Sequence, residues 1–227
     1  MNREIKFIDL GQMDYKDAWD YQQNLFDEII EIKKKNRQNN TNNATPNYFI
    51  FVEHAHVYTL GKSGNISNLL IDENQLKNKN ASFYKINRGG DITYHGPGQI
   101  VCYPILNLKN FKQSVTWYMR ALEEVIIETL KLFNIKASRK NGLTGVWVKD
   151  EKIGAQGVRM TKWVTMHGFA LNVNTDLRFF NDIIPCGIKD FGVTSIEKII
   201  GKEQDLSLVK EHILISFAKV FKIKGYI

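Results

Sequence analysis

Apolar positions recur at helical spacing over long stretches of the chain and alternate, or run together at strand length, between them. Tyr15 to Lys35 predicts an amphipathic helix on Trp19, Phe26 and Ile30, and Ser114 to Phe133 gives the clearest helical face, with Tyr118, Leu122, Val125, Ile126 and Leu130. Leu206 to Phe221 predicts a closing amphipathic helix. Tyr48 to Glu53 reads as a buried strand. Phe83 to Ile86 and Ile100 to Leu108 read as strands on either side of a glycine-rich segment, and short strands are expected around Gly145 to Lys149, Lys152 to Val158 and Trp163 to Asn174. The basic, asparagine-rich stretch Lys33 to Asn47 breaks the first helical pattern and is expected to be an exposed loop.

Strands and helices are intermixed without a regular βαβ repeat, which favours an α+β fold over a doubly wound sheet. With 227 residues and 43% apolar content the chain can bury a core as one domain, residues 1–227. Charges occupy the N-terminus where a secretion signal would be apolar, and no apolar run approaches the ~18 residues of a membrane span. A cytoplasmic protein with no membrane partner is expected. The net charge of +7 rests on lysines, with only seven arginines among 31 basic residues. That balance argues against a nucleic-acid reader, which favours guanidinium forks; a lysine-rich face attracts an acidic partner or is simply solvated.

Two cysteines cannot make a disulfide framework, and they lack zinc-site spacing. Cys102 sits in the apolar run Ile100-Val101-Cys102-Tyr103 and reads as a buried hydrophobe. Cys186 lies between Pro185 and Gly187, a turn context that would leave its thiol accessible as a nucleophile. His54 and His56 have the spacing of a metal pair on an extended chain, but further ligands are not evident. They read as hydrogen-bonded histidines near a pocket, and no metal or cofactor is expected. The segment Arg88, Gly89, Gly90, Asp91, Ile92, Thr93, Tyr94, His95 has neither the Gly-Lys-Ser/Thr ending of a P-loop nor a dinucleotide fingerprint. Its small residues let backbone approach a ligand, and Arg88, Thr93, Tyr94 and His95 offer polar and aromatic contacts.

Taken in order, Arg88 to Gln99, Gly145-Val146-Trp147-Val148, Lys152-Ile153-Gly154-Ala155, His167 to Asn174 and Pro185-Cys186-Gly187 resemble the motifs of the lipoyl(octanoyl) transferases, also called lipoate-protein ligase B. Glu53-His54 and Val57 to Gly61 fit an earlier motif, so the resemblance spans residues 48 to 197. It implies a single-domain fold with a mixed sheet flanked by helices, shared with biotin and lipoate ligases. It also implies octanoyl transfer from acyl carrier protein to a lysine of the lipoyl domains of 2-oxoacid dehydrogenase E2 subunits or of the glycine-cleavage H protein, the first step of endogenous protein lipoylation. The family's acyl-thioester nucleophile falls on Cys186 and its activating lysine on Lys152. Substrate contacts fall on Arg88 to His95, on Ala155, Gln156 and Gly157, and on Gly168, Phe169 and Ala170, with His167 able to orient substrate. Gln156 stands where an apolar residue is more usual. Lys149 is the competing lysine, and alternation along a strand sets it opposite Lys152.

The chemistry suits these residue types. A thioester donor passes its acyl group to a cysteine at little free-energy cost, and the acyl-cysteine stays reactive toward an amine. A free thiol with pKa about 8.5 is only a few per cent thiolate at neutral pH, and a nearby ammonium raises that fraction. Two rivals remain: an ATP-dependent lipoate-protein ligase, which needs no nucleophilic cysteine, and an amidotransferase that moves octanoyl between lipoyl-bearing proteins. A silent binding module would have no use for Cys186 and Lys152.

Overall fold

The structure, a computed structural model, describes residues 2–184 and 191–226. The chain opens with β1 (Glu4–Gln12), α1 (Tyr15–Gln38) and β2 (Tyr48–Glu53), then forms a small unit of β3 (Val57–Leu60), α2 (Glu73–Asn78), β4 (Ser82–Lys85) and β5 (Ile92–His95). Next come β6 (Gln99–Ile105) and α3 (Val115–Leu132), followed by the hairpin series β7 (Ser138–Lys140), β8 (Leu143–Val148), β9 (Glu151–Thr161) and β10 (Val164–Asn172). β11 (Gly192–Val193), α4 (Ile196–Ile200), α5 (Leu206–Phe221) and β12 (Gly225–Tyr226) complete it.

The large sheet runs β12-β1-β2-β6-β10-β9-β8-β7, with β11 paired to the start of β9. Its pairings are mixed: β1 is parallel to β2, while β2, β6, β10, β9 and β8 alternate in direction. This is the α+β, mixed-sheet architecture expected from the sequence. Strand alternation divides two cores between its faces. Phe49, Phe51, Ile100, Cys102 and Leu171 pack under α3 and α5, whereas Ile50, Val52, Val101, Tyr103 and Met166 pack under α1.

Helix α3 buries the five apolar residues expected of it, Tyr118, Leu122, Val125, Ile126 and Leu130. Full burial of each such side chain is worth about 1.5–3 kcal/mol. Helix α1 turns Tyr15, Ala18, Gln22, Phe26 and Ile29 inward, leaving Trp19 and Ile30 as partly buried flanks. It continues to Gln38, so the first part of the stretch expected as a loop is helical. The far end of that stretch is pinned, because Asn47 Nδ2 donates to the Asn2 and Glu4 carbonyls and Asn107 Nδ2 donates to Thr45 Oγ1.

The three-stranded sheet β4-β3-β5 lies beside the main one and carries the glycine-rich segment. Gly89 N donates to the Val158 carbonyl at 2.9 Å, joining that segment to β9. Among the described residues no helix is long and apolar enough to cross a membrane.

Candidate active site

Between the glycine-rich segment and the floor formed by β6, β9 and β10 is a cavity of about 270 Å³, just below the ~300–1,000 Å³ typical of ligand pockets. Small residues of the motifs make this space. Gly157 and Ala155 on β9 and Gly168 and Ala170 on β10 line it, and a Cβ at Gly157 would lie 2.9 Å from the Gly89 carbonyl oxygen. All of Arg88 to His95 line it except Tyr94. Tyr94 instead joins Tyr58, Leu60 and Ile183 in a separate apolar cluster, stacks on Phe179 and takes a 2.7 Å hydrogen bond with His56 Nδ1.

The charged members of the segment brace its backbone. The buried Arg88 guanidinium donates from Nη2 to the Thr59 carbonyl and hydroxyl at 2.7 and 2.9 Å, and from Nη1 to the Gly89 carbonyl at 3.0 Å. Asp91 accepts from the Ile92 amide and from Asn68 Nδ2.

Three buried histidines surround this end of the cavity, and burial lowers the pKa of each, to about 3 for His95 and His167 and about 4 for His54. The charge of Arg88 adds to the depression at His95 and His167. All three are therefore neutral imidazoles near pH 7. His54 bonds the Met13 carbonyl and Tyr103 hydroxyl, while His56 faces Tyr94 and Phe179, so the two do not share a site. His95 Nδ1–H donates to Gln99 Oε1 at 2.6 Å, and Gln99 Nε2 donates to Asn172 Oδ1 at 2.9 Å. Asn172 in turn donates to the Thr194 carbonyl, and Thr194 N donates to the Lys152 carbonyl.

His167 departs from strand conformation at φ +60. Its amide reaches Gln22 Oε1 on α1, and its Nε2–H donates to Asn87 Oδ1 at 2.8 Å. The ring is edge-on to Tyr103 beside the cavity. Gln22, Asn87 and Tyr15, which stacks on His95, are site residues that sequence reasoning missed. Helical periodicity would have marked Gln22 and Tyr15 only as inward-facing positions.

Lys152 lines the cavity, and its Nζ lies 4.8 Å from the centre of the Trp147 ring. Lys149 is exposed in the turn between β8 and β9, in the left-handed conformation at φ +53. The two lysines separate because Lys149 sits in the turn, not through the strand alternation expected of an extended chain. Gln156 turns its carboxamide toward α3, donating to the Met119 carbonyl and Glu123 Oε1 at 3.2 and 3.0 Å. Phe169 also lines the cavity. Cys102 is fully buried in β6, where burial pushes its thiol pKa up. Cys186 lies outside the described residues. On the side that is described, Val193 pairs with Lys152 and the Phe191 ring lies 5.2 Å from Trp147. The arrangement offers a slot lined by small and apolar residues and neutral imidazoles, with the Lys152 amine along its wall, suited to an apolar chain with a reactive carbonyl at its head.

The sequence model of the lipoyl protein ligase A/B catalytic domain matches residues 14–218. An octanoyltransferase of Christiangramia forsetii is 56% identical over 98% of this chain and 97% of the relative. One of Flavobacterium psychrophilum is 56% identical over 97% of this chain and 98% of its own. Among solved structures, a Thermoplasma acidophilum protein described as a lipoate protein ligase, with bound lipoic acid, superposes with a TM-score of 0.71 over 100% of this chain and 90% of that one, at 15% identity. That likeness extends to the fold.

Proposed function

The chain belongs to the lipoyl protein ligase A/B catalytic family, and on that premise we propose that it is an octanoyltransferase of protein lipoylation, acting as one domain over 1–227 in the cytoplasm. Its donor is octanoyl-acyl carrier protein, and its acceptors are lysines of E2 lipoyl domains and of the glycine-cleavage H protein. The observation that carries this reading is the convergence of three separate motifs on one cavity. Residues 88–93 and 95 lie some sixty residues before the β9–β10 hairpin that carries Lys152, 154–157 and 167–170, yet they line the same slot with Lys152 on its wall.

In the proposed chemistry the Cys186 thiolate attacks the carbonyl carbon of the donor thioester. The new C–S bond replaces the carrier's, and the carrier leaves as a thiol after taking a proton from the Lys152 ammonium. The acceptor amine then attacks the acyl-cysteine, forming the amide C–N bond. Neutral Lys152 receives the excess proton from nitrogen as Cys186 departs as the thiolate, which restores the thiolate–ammonium pair. The histidines by the slot are neutral and so add no charge beside the acyl chain.

Intact-protein mass spectrometry tests the order of events. Enzyme mixed with octanoyl-acyl carrier protein and no ATP gains the mass of one octanoyl group, which hydroxylamine removes. An apo lipoyl domain then discharges it as a hydroxylamine-resistant amide. Cys186→Ala gives no adduct, whereas Cys102→Ala does. Modification of the acceptor only with ATP and free octanoate, and no adduct on Cys186, would make the ligase the correct reading.

A further inference from the structure

Helix α3 carries a buried carboxylate that no step of the proposed transfer uses. Glu123 is 1% exposed, yet its two oxygens accept from four donors. Oε2 takes Arg120 Nη1 at 2.7 Å and Arg139 Nε at 2.8 Å, while Oε1 takes the Gly145 amide at 3.2 Å and Gln156 Nε2 at 3.0 Å. Burying a carboxylate requires charge pairing and hydrogen bonds, and the arginines meet that need on Oε2. Oε1 is turned the other way, onto β8 and β9.

Gly145 is a junction. Its φ of +119 favours glycine, and a Cβ there would lie 2.8 Å from the Gly154 carbonyl oxygen and 3.2 Å from Lys152 Cε. The aliphatic stem of Lys152 therefore runs against the Gly145 backbone, and its ammonium lies over Trp147 two positions along the same strand. The β8–β9 register shifts between Val146 and Trp147, so regular ladder pairing does not continue through this point. The Glu123 carboxylate supplies a fixed partner for the Gly145 amide beside that irregularity.

The geometry points to Glu123 as a positioning residue for Lys152: by clamping the Gly145 amide it fixes the strand against which the lysine side chain is laid into the cavity. The inference rests on Lys152 being the group that activates the Cys186 thiol. It also accounts for a polar Gln156, whose amide completes the coordination of Oε1.

Glu123→Gln is the sharp test, because it keeps the shape of the side chain. Two guanidinium groups demand an acceptor at Oε2, so the amide oxygen turns to them and the NH2 group meets the Gly145 amide, donor against donor. The experiment follows single-turnover acylation of the full chain by octanoyl-acyl carrier protein, across pH values either side of the ordinary thiol pKa of about 8.5, in wild type, Glu123→Gln, Lys152→Ala and the double variant. Thermal melting establishes that each is folded.

Glu123→Gln is expected to slow acylation at neutral pH by about ten- to a hundredfold, the scale of a small misplacement of a reacting group. Its pH midpoint should move upward, as in Lys152→Ala, and it should add nothing in the Lys152→Ala background. An unmoved midpoint in Glu123→Gln, or equal slowing with and without Lys152, overturns the positioning role while leaving the role of Lys152 standing. If Lys152→Ala itself leaves the midpoint in place, both are overturned. Should Glu123→Gln not fold, Gln156→Leu with Arg139→Ala, which loosen Glu123 from either side, must reproduce the shift, and a wild-type profile in that pair overturns the inference.

Discussion

At Gly168 the missing side chain is a condition of the site. A methyl group there would lie 2.1 Å from the Cys102 carbonyl oxygen and 2.6 Å from Pro104 Cδ, both on the neighbouring strand. Neither atom can yield without opening the β6–β10 ladder that forms the cavity floor. Gly168→Ala should therefore cost at least the ~1–3 kcal/mol of an overpacked core, read as a lower denaturant midpoint, and should reduce the octanoyl adduct in the fraction that stays folded. Gly142 is the control: it has a φ of +74, but a methyl group there would meet nothing within 4 Å, so Gly142→Ala should cost only the ~1–2 kcal/mol of a left-handed backbone and leave adduct formation unchanged. Equal losses in the two variants would show that the close approach at Gly168 is not what the glycine serves. The motif makes this position visible in the sequence, but the packing reason lies in a strand more than sixty residues earlier. No local pattern contains it.

The elements are legible where one face decides their structure. Ser114 caps α3 by accepting the Trp117 amide at 3.2 Å, and the helix that follows buries the face its periodicity marks. Ser114→Ala should cost about 1 kcal/mol, measured as a lower melting temperature with the pH midpoint of acylation unmoved, because Glu123 is held by partners well beyond the first turn. The turns between strands are harder to read. β9 and β10 are joined by Lys162 and Trp163, both in left-handed conformation at φ +51 and +65, where asparagine or glycine would have announced a hairpin. β7 and β8 are joined through Asn141-Gly142, a turn signal that the chain does carry. β1 is not marked by any local pattern. Its residues Ile5, Phe7 and Ile8 alternate imperfectly, and its place is set by parallel pairing to β2. The glycine-rich segment is expected from its motif to contact substrate as a whole; alternation along β5 instead sends Thr93 and His95 to the cavity and Tyr94 to the cluster behind it.

On the scale of the whole molecule, the α1 face of the sheet, the glycine-rich segment and α1 itself enclose imidazoles that folding keeps uncharged. The consequence is a stability that depends on pH with a definite sign. His54, His95 and His167 have folded-state pKa values of about 4, 3 and 3, below the ~6.5 of an unfolded chain. Above about pH 6.5 neither state binds these protons and no penalty applies. As pH falls below that value the unfolded chain binds protons that the folded chain refuses, so stability is lost progressively until the folded-state values are reached. Between pH 7 and pH 5 each histidine should remove roughly 2 kcal/mol, a window in which carboxylates of ordinary pKa, about 4, change little. Denaturant unfolding across that range should show the decline, and the variant His54→Gln, whose amide can still bond the Met13 carbonyl and the Tyr103 hydroxyl, should show a shallower slope than wild type. A flat profile in the wild-type protein would mean that these imidazoles accept protons in place, and the imidazole side of the slot would then be charged in mild acid. Retained slope with loss of transfer between pH 7 and pH 5 would instead separate the two effects, placing the functional titration on the thiol–amine pair and the structural one on the histidines.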